Sequence, residues 1–154
     1  MLTITVGTKT TSESGTSAKV GSAKTTSFKN TKLQPSTSYW YKVTAVTTGG
    51  ESGFSDIKTA TTLPMTPSGV KAKAVSSTAV TLTWKAVTGS TFNVYRSTTK
   101  QGDYTKIAEG LNALAYTDIN LTPKTTYWYK VTALDPNGNE SVTSAPVKAL
   151  TKAR

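Results

Sequence analysis

An all-β chain of two antiparallel β-sandwiches in tandem is what this sequence predicts, and three observations carry that expectation. A stretch of thirteen residues is written twice, LQPSTSYWYKVTA over 33–45 and LTPKTTYWYKVTA over 121–133. Within the first copy Tyr39, Tyr41, Val43 and Ala45 fall on one side of an extended strand, and Trp40, Lys42 and Thr44 on the other. That is the two-residue period of a half-buried strand, not the period of a helix. The offset between the copies, 121 − 33 = 88 residues, is the length of a whole sandwich unit, so 154 residues hold two units and not a solenoid of short repeats.

The elements follow in order. The first unit, residues 1–63, reads as strands at about 2–8, 17–21, 24–30, 38–47 and 57–62, with Gly49, Gly50 and Gly53 in the last turn. Pro35 and Pro123, which cannot donate to a ladder, mark a corner ahead of each repeated strand. Thr62 to Pro67 is a short proline-bounded linker, too stiff for free tumbling. In the second unit, residues 64–154, Val70 opens the first strand and Val80–Trp84 alternates as the second. Thr91–Arg96 is the third, Gly102–Ile107 an edge strand, Ala115–Asp118 the next, and Pro146–Leu150 closes the unit after the repeat. The expected core is Val80, Leu82, Trp84, Phe92, Val94, Ile107, Tyr116, Leu121, Tyr127, Tyr129, Val131 and Ala133.

Sliding one unit on the other matches Ile4 and Val6 with Phe92 and Val94, and Phe28 with Tyr116, which sets Met1 against Gly89. The first unit then has no counterpart of the second unit's first two strands, and nothing to match Trp84. Ile4, Val6, Tyr41 and Val43 would line an apolar face covered only by residues 24–30. An uncovered face of that kind, with open sheet edges, predicts a protein partner or self-association through residues 1–63.

The repeated pattern Leu-x-Pro-x-Thr-x-Tyr-x-Tyr-x-Val-x-Ala resembles the corner between strands E and F, and strand F itself, of a fibronectin type III domain of the variety found in bacterial secreted enzymes and surface proteins. The resemblance spans all of the second unit, from Pro67 to about Thr151, and the later half of the first. It implies two immunoglobulin-like sandwiches in tandem, the first holding strands C to G without A and B. It also implies a tyrosine corner at Tyr39 and Tyr127, with each hydroxyl bonded to backbone a few residues upstream. The location it implies is extracellular or cell-surface, with which a chain free of cysteine is compatible because these domains fold without disulfides.

Composition narrows the chemistry. Without histidine or cysteine, Ser-His-Asp and Cys-His nucleophiles and the usual zinc sites are ruled out, and no cofactor is expected. Asp103, Glu109, Asp118, Asp135 and Glu140 sit at turns or strand ends, with no long insertion to wall a cleft around a carboxylate pair, so no enzyme is expected. Asp135 to Glu140 looks superficially like the start of a calcium loop but lacks the spacing, and reads as a polar turn. The net charge of +10 comes from scattered lysines, and only Arg96 and Arg154 are arginine, so no nucleic-acid partner is expected. No apolar run reaches membrane-spanning length and residues 1–20 carry no charged-then-apolar leader, so a soluble chain without membrane insertion is expected.

Trp40 and Trp128 occupy the outward positions of the repeated strand, where a core does not need them. Tyr95, outward on the neighbouring strand with Arg96 beside it, would extend Trp128 into a flat aromatic strip able to stack on sugar rings. Gly7 stands at the matching place in the first unit, so the strip is not repeated there. Two functions are expected to compete. One is a non-catalytic spacer or weak binding module for polysaccharide or a cell-surface glycan; the other is a structural or decoration protein of a phage virion or surface filament, its first domain completed by a partner chain.

Overall fold

The computed structural model describes the backbone of residues 3–9 and all of residues 18–154. The regular structure among them is antiparallel β-strand, and no helix is long and apolar enough to cross a membrane. Contacts divide the chain into two compact units, Met1–Thr62 and Leu63–Arg154.

The first unit's described strands are β1 (Thr3–Lys9), β2 (Ala18–Ala23), β3 (Ser38–Thr47), β4 (Gly50–Glu51) and β5 (Lys58–Thr61). They make one five-stranded sheet ordered β2-β1-β3-β4, with β5 also paired to β3. Residues 24–30, expected as a strand, form none. The reason lies in the second unit, where the matching strand takes its ladder from a neighbour that the described residues of the first unit lack.

That second unit holds β6 (Lys71–Ala74), β7 (Val80–Thr83), β8 (Thr91–Ser97), β9 (Thr105–Leu111), β10 (Ala115–Asp118), β11 (Thr126–Leu134) and β12 (Val147–Leu150). A three-stranded sheet β10-β7-β6 faces a four-stranded sheet β12-β11-β8-β9. The edge strand expected at 102–107 begins and ends later, because 101–104 are spent on the turn and Thr105–Lys106 start the pairing with Tyr95 and Arg96. Strand β10 pairs only with β7, Tyr116 opposite Leu82 and Asp118 opposite Val80. Between the sheets lie Val80, Leu82, Trp84, Phe92, Val94, Leu121, Tyr127, Tyr129, Val131 and Ala133, joined by Ala149, while Ile107 and Tyr116 are only partly buried against them. Trp84 and Phe92 meet at a ring separation of 5.6 Å, tilted by 57°, an arrangement that favours the edge of one ring over the face of the other.

Both units build the same corner. The N–H of Gln34 donates to the Tyr39 hydroxyl at 2.8 Å, and that of Thr122 to the Tyr127 hydroxyl at 3.1 Å. Flanking each proline, Lys32 and Ser36 (φ 61° and 48°) and their counterparts Asn120 and Lys124 (59° and 51°) sit in the left-handed region, which costs side chains other than glycine about 1 kcal/mol or more each. The last strand is tied on by threonine: Thr62 Oγ1 accepts from Thr37 N and donates to Gln34 O, as Thr151 Oγ1 accepts from Thr125 N and donates to Thr122 O. Serines replace ladder partners after the repeated strand. Ser52 and Ser55 accept from Ala45 N and Val43 N in the first unit, Ser141 and Ser144 from Ala133 N and Val131 N in the second.

Replacing Tyr127 by Phe leaves the Thr122 N–H without its acceptor, and a loss of about 1 kcal/mol or more is expected. Urea unfolding of the two proteins measures it; equal midpoints would mean that the hydroxyl contributes nothing to the corner.

Candidate functional site

The outer face of the second unit's four-stranded sheet is assembled by strand alternation. On β11, Trp128, Lys130 and Thr132 point away from the core, and their cross-strand neighbours are Lys148 and Ser97 for Trp128, Tyr95 for Lys130 and Asn93 for Thr132. Trp128 is half-buried, with the ammonium groups of Lys100 and Lys148 each 5.8 Å from the centre of its ring. Lys130 lies 4.1 Å from the centre of the Tyr104 ring, and Lys106 lies 5.8 Å from that of Tyr95. Each aromatic on this face is thus paired with a cation, a contact worth about 0.5–1 kcal/mol at exposed positions.

Tyr95, expected to extend Trp128 into a flat strip, lies one row away from it on the same face. Tyr95 donates its hydroxyl to Glu140 Oε1 at 2.6 Å, and the same oxygen accepts from Asn93 Nδ2 and Thr132 Oγ1. Asn93 and Thr132 occupy the row beyond Tyr95 and Lys130, so the phenol is drawn away from the row that holds Trp128. Burial and the hydrogen bond to Glu140 push the Tyr95 hydroxyl above its ordinary value, which keeps it a donor. Glu140 shows the opposite balance: burial disfavours its charge, but the bonds from Thr132, Tyr95 and Asn93 and the nearby Lys106 outweigh it and hold the carboxyl below its ordinary value. A polar knot therefore fixes the Tyr95 end of the face.

Arg96 does not stand beside Tyr95, because neighbouring residues of a strand project to opposite faces. Its Nη1 lies 3.1 Å from both carboxylate oxygens of the buried Asp118, and Tyr129 donates to Asp118 Oδ2 at 2.9 Å. The guanidinium also lies 5.6 Å from the centre of the Tyr127 ring. Burial first, and the adjoining carboxylate second, push the Tyr129 phenol far above its ordinary value. Arg96 and Tyr129 belong to one sheet and Asp118 to the other, so the trio ties the two layers together and Arg96 is taken up in structure. Asp135, at the suspected calcium turn, accepts from the backbone of Asn137 and Asn139 and from the Asn139 amide, and no metal-ligating cluster occurs among the described residues.

In the first unit, Trp40 is half-buried on β3 opposite Lys9 and Thr59. On the other side of that strand, Tyr41 accepts from Asn30 Nδ2 at 3.3 Å, and Val43 is 37% exposed. With Phe28 and Ala60 they border an open groove of about 550 Å³. The side chains of Ile4 and Val6, expected on the same face, lie outside the described residues. Phe28 packs so closely on β2 that Gly21 has no room for a Cβ. The Glu140 knot and the serine bonds are the features that sequence reasoning missed; the signal was present as a second repeat, Glu51-Ser52-x-x-Ser55 and Glu140-Ser141-x-x-Ser144.

A model of the fibronectin type III domain matches residues 65–149, and the chain belongs to this family. The poly(3-hydroxybutyrate) depolymerase of Ralstonia pickettii is 46% identical over 87 residues, which are 56% of this chain and 16% of that protein. Exoglucanase B of Cellulomonas fimi is 37% identical over 150 residues, covering 87% of this chain and 13% of that protein. The chain thus spans less than a fifth of the length of either relative. A crystal structure of a Fn3-like protein from Clostridium thermocellum superposes with a TM-score of 0.54 and 35% identity, over 59% of this chain and 96% of that one.

Because Glu140 is held below its ordinary value of 4.5, its contribution to stability is complete above that pH and is lost as pH falls through the lowered folded-state value. Acid unfolding of wild type and Glu140→Gln tests this. Their stability difference should shrink steadily below pH 4.5; a constant difference across that range would contradict it.

Proposed function

We propose that the chain is a non-catalytic fibronectin type III module of an extracellular or cell-surface bacterial protein that degrades a polymer, and that it makes weak contact with polysaccharide through the outer face around Trp128. One observation carries the binding reading. A large aromatic is kept on the solvent side of β11, where the core has no need of it, between two lysines that can hydrogen-bond to sugar hydroxyls or carboxylates. Trp40 repeats the position on β3.

The relatives support the module reading, since the aligned stretch is a small part of an exoglucanase in one case and of a depolymerase in the other. They favour an enzyme-borne module over a virion part. The absence of catalysis is supported by the fate of the carboxylates. Asp118 is bound to Arg96 and Tyr129, Glu140 to three donors, and Glu109 to Lys106 at 3.6 Å. Two polymer substrates of different chemistry among the relatives fit a module whose contact with the polymer is unselective, in keeping with a fold that hosts unrelated roles.

Sedimentation with insoluble cellulose, chitin and peptidoglycan tests the proposal. Wild type should be retained weakly on at least one, with no soluble sugar released, and Trp128→Ala should bind about fivefold less, equivalent to about 1 kcal/mol. Equal retention of both proteins would reduce Trp128 to a residue that packs beneath lysine stems.

A further inference from the structure

The outer face around Trp128 carries cations in excess of the acids that could pair with them. Lys100 and Lys148 flank the indole, and in the next row Lys130 and Lys106 stand on either side of Tyr95. Two residues of β11 separate the rows, a distance of about 7 Å. Lys106 has Glu109 at 3.6 Å, while among the described residues Lys100, Lys130 and Lys148 have no carboxylate in reach. Glu140, the other acid on this face, is spent on Tyr95, Asn93 and Thr132. Asp103, in the turn ahead of β9, lines a small cavity with Arg96.

The first unit shows how much of this the strand itself demands. Trp40 and Lys42 keep the places of Trp128 and Lys130. Yet Trp40 is opposite Thr59 where Trp128 is opposite Lys148, and Lys42 is opposite Gly7 where Lys130 is opposite Tyr95. Lys42 turns to Phe54 instead, 3.7 Å from the centre of its ring. A tryptophan at this position is thus common to both units, and Lys148 and Tyr95 around it belong to the second alone. The two cations at Trp128 are loosely held: at 5.8 Å they stand near the outer limit of a cation–π contact, about 6 Å, whereas Lys130 lies 4.1 Å from the Tyr104 ring. Both are exposed and free to turn to a ligand.

We infer that this face takes an acidic polysaccharide, one whose pyranose rings carry carboxylates, in preference to a neutral one; the inference deepens the polysaccharide reading above and rests on it. A sugar ring packs on Trp128, its carboxylate pairs with Lys100 or Lys148, and the acid of another ring along the chain reaches the row of Lys130 and Lys106. Charge and a ring face are read, and a particular linkage is not. Carboxylates suit the cations present, because phosphate is best gripped by the bidentate fork of arginine. Arg96 is committed to Asp118, and Arg154 is the last residue of the chain.

Binding of the full chain to beads bearing polygalacturonate, or its fully methyl-esterified form, tests the inference, since the two share ring and linkage and differ in charge. At low ionic strength the acid should bind about tenfold more tightly than the ester, the sum of two exposed charge pairs. The preference should vanish at about 1 M salt, where screening acts within about 3 Å. Lys100→Gln with Lys148→Gln should bring the acid down to the level of the ester and leave the ester unchanged. Lys71→Gln with Lys73→Gln, on β6 in the opposite sheet, removes the same charge and should change neither. Equal binding of acid and ester overturns the inference, and so does an equal loss in both double variants, which would leave only the net charge of +10 at work. Polyphosphate beads that hold the chain as tightly as polygalacturonate overturn it too, since no sugar ring would then be needed. Failure of the underlying reading looks different: a Trp128→Ala chain that binds acid and ester as wild type does removes the tryptophan from the site, whereas loss of the ester alongside an absent acid preference strikes the charge inference alone.

Discussion

The inward side of the repeated strand must be kept from water, and the rest of the architecture answers to that constraint. Tyr127, Tyr129, Val131 and Ala133 present a continuous apolar strip on β11, and burying such surface yields about 25 cal/mol per Å². In the second unit the strip is met by β7, and every other element follows: β10 finds a partner in β7, Asp118 is carried to Arg96 and Tyr129, and the core closes around Trp84 and Phe92. The first unit has the same strip with no described strand over it. Strand-like residues 24–30 then lack a ladder, and Val43 faces solvent.

Local and non-local parts of the fold separate cleanly in this chain. The corner is local: left-handed residues on either side of a proline, a tyrosine hydroxyl receiving an N–H five residues upstream, and a threonine tying down the last strand. All of it forms in both units, although only the second shows an opposite sheet among the described residues. The serine bonds to the repeated strand behave in the same way. The strand at β10 is non-local, because a strand is defined by its neighbour, and one unit has that neighbour whereas the described residues of the other do not supply it.

The same distinction explains what was legible in the sequence. Alternation and the 88-residue repeat disclose the all-β class and a core of which only Ile107 and Tyr116 remain partly exposed, while the corner tyrosines are legible only through the resemblance to the fibronectin type III domain. Residues 24–30 have the composition of a strand, yet composition cannot report a missing partner. Arg96 adjoins Tyr95 in sequence but not in space, since the pleat sends it to Asp118. The bond from the Tyr95 phenol to Glu140, which arrives from a turn forty-five residues away, was illegible for a different reason: pairing across such a separation leaves no periodic trace. What is left of the candidate site is Trp128 with its lysines, a surface suited to weak contact with extended polymers more than to enclosure of a small molecule.

Amide hydrogen exchange on the intact chain tests the central claim, that the two copies of the strand differ only in what covers them. The account predicts that amides of Tyr41 to Ala45 exchange about 100-fold faster or more than those of Tyr129 to Ala133, since protection follows burial and cooperative closure. Equal protection of the two segments in a monomeric chain would contradict it.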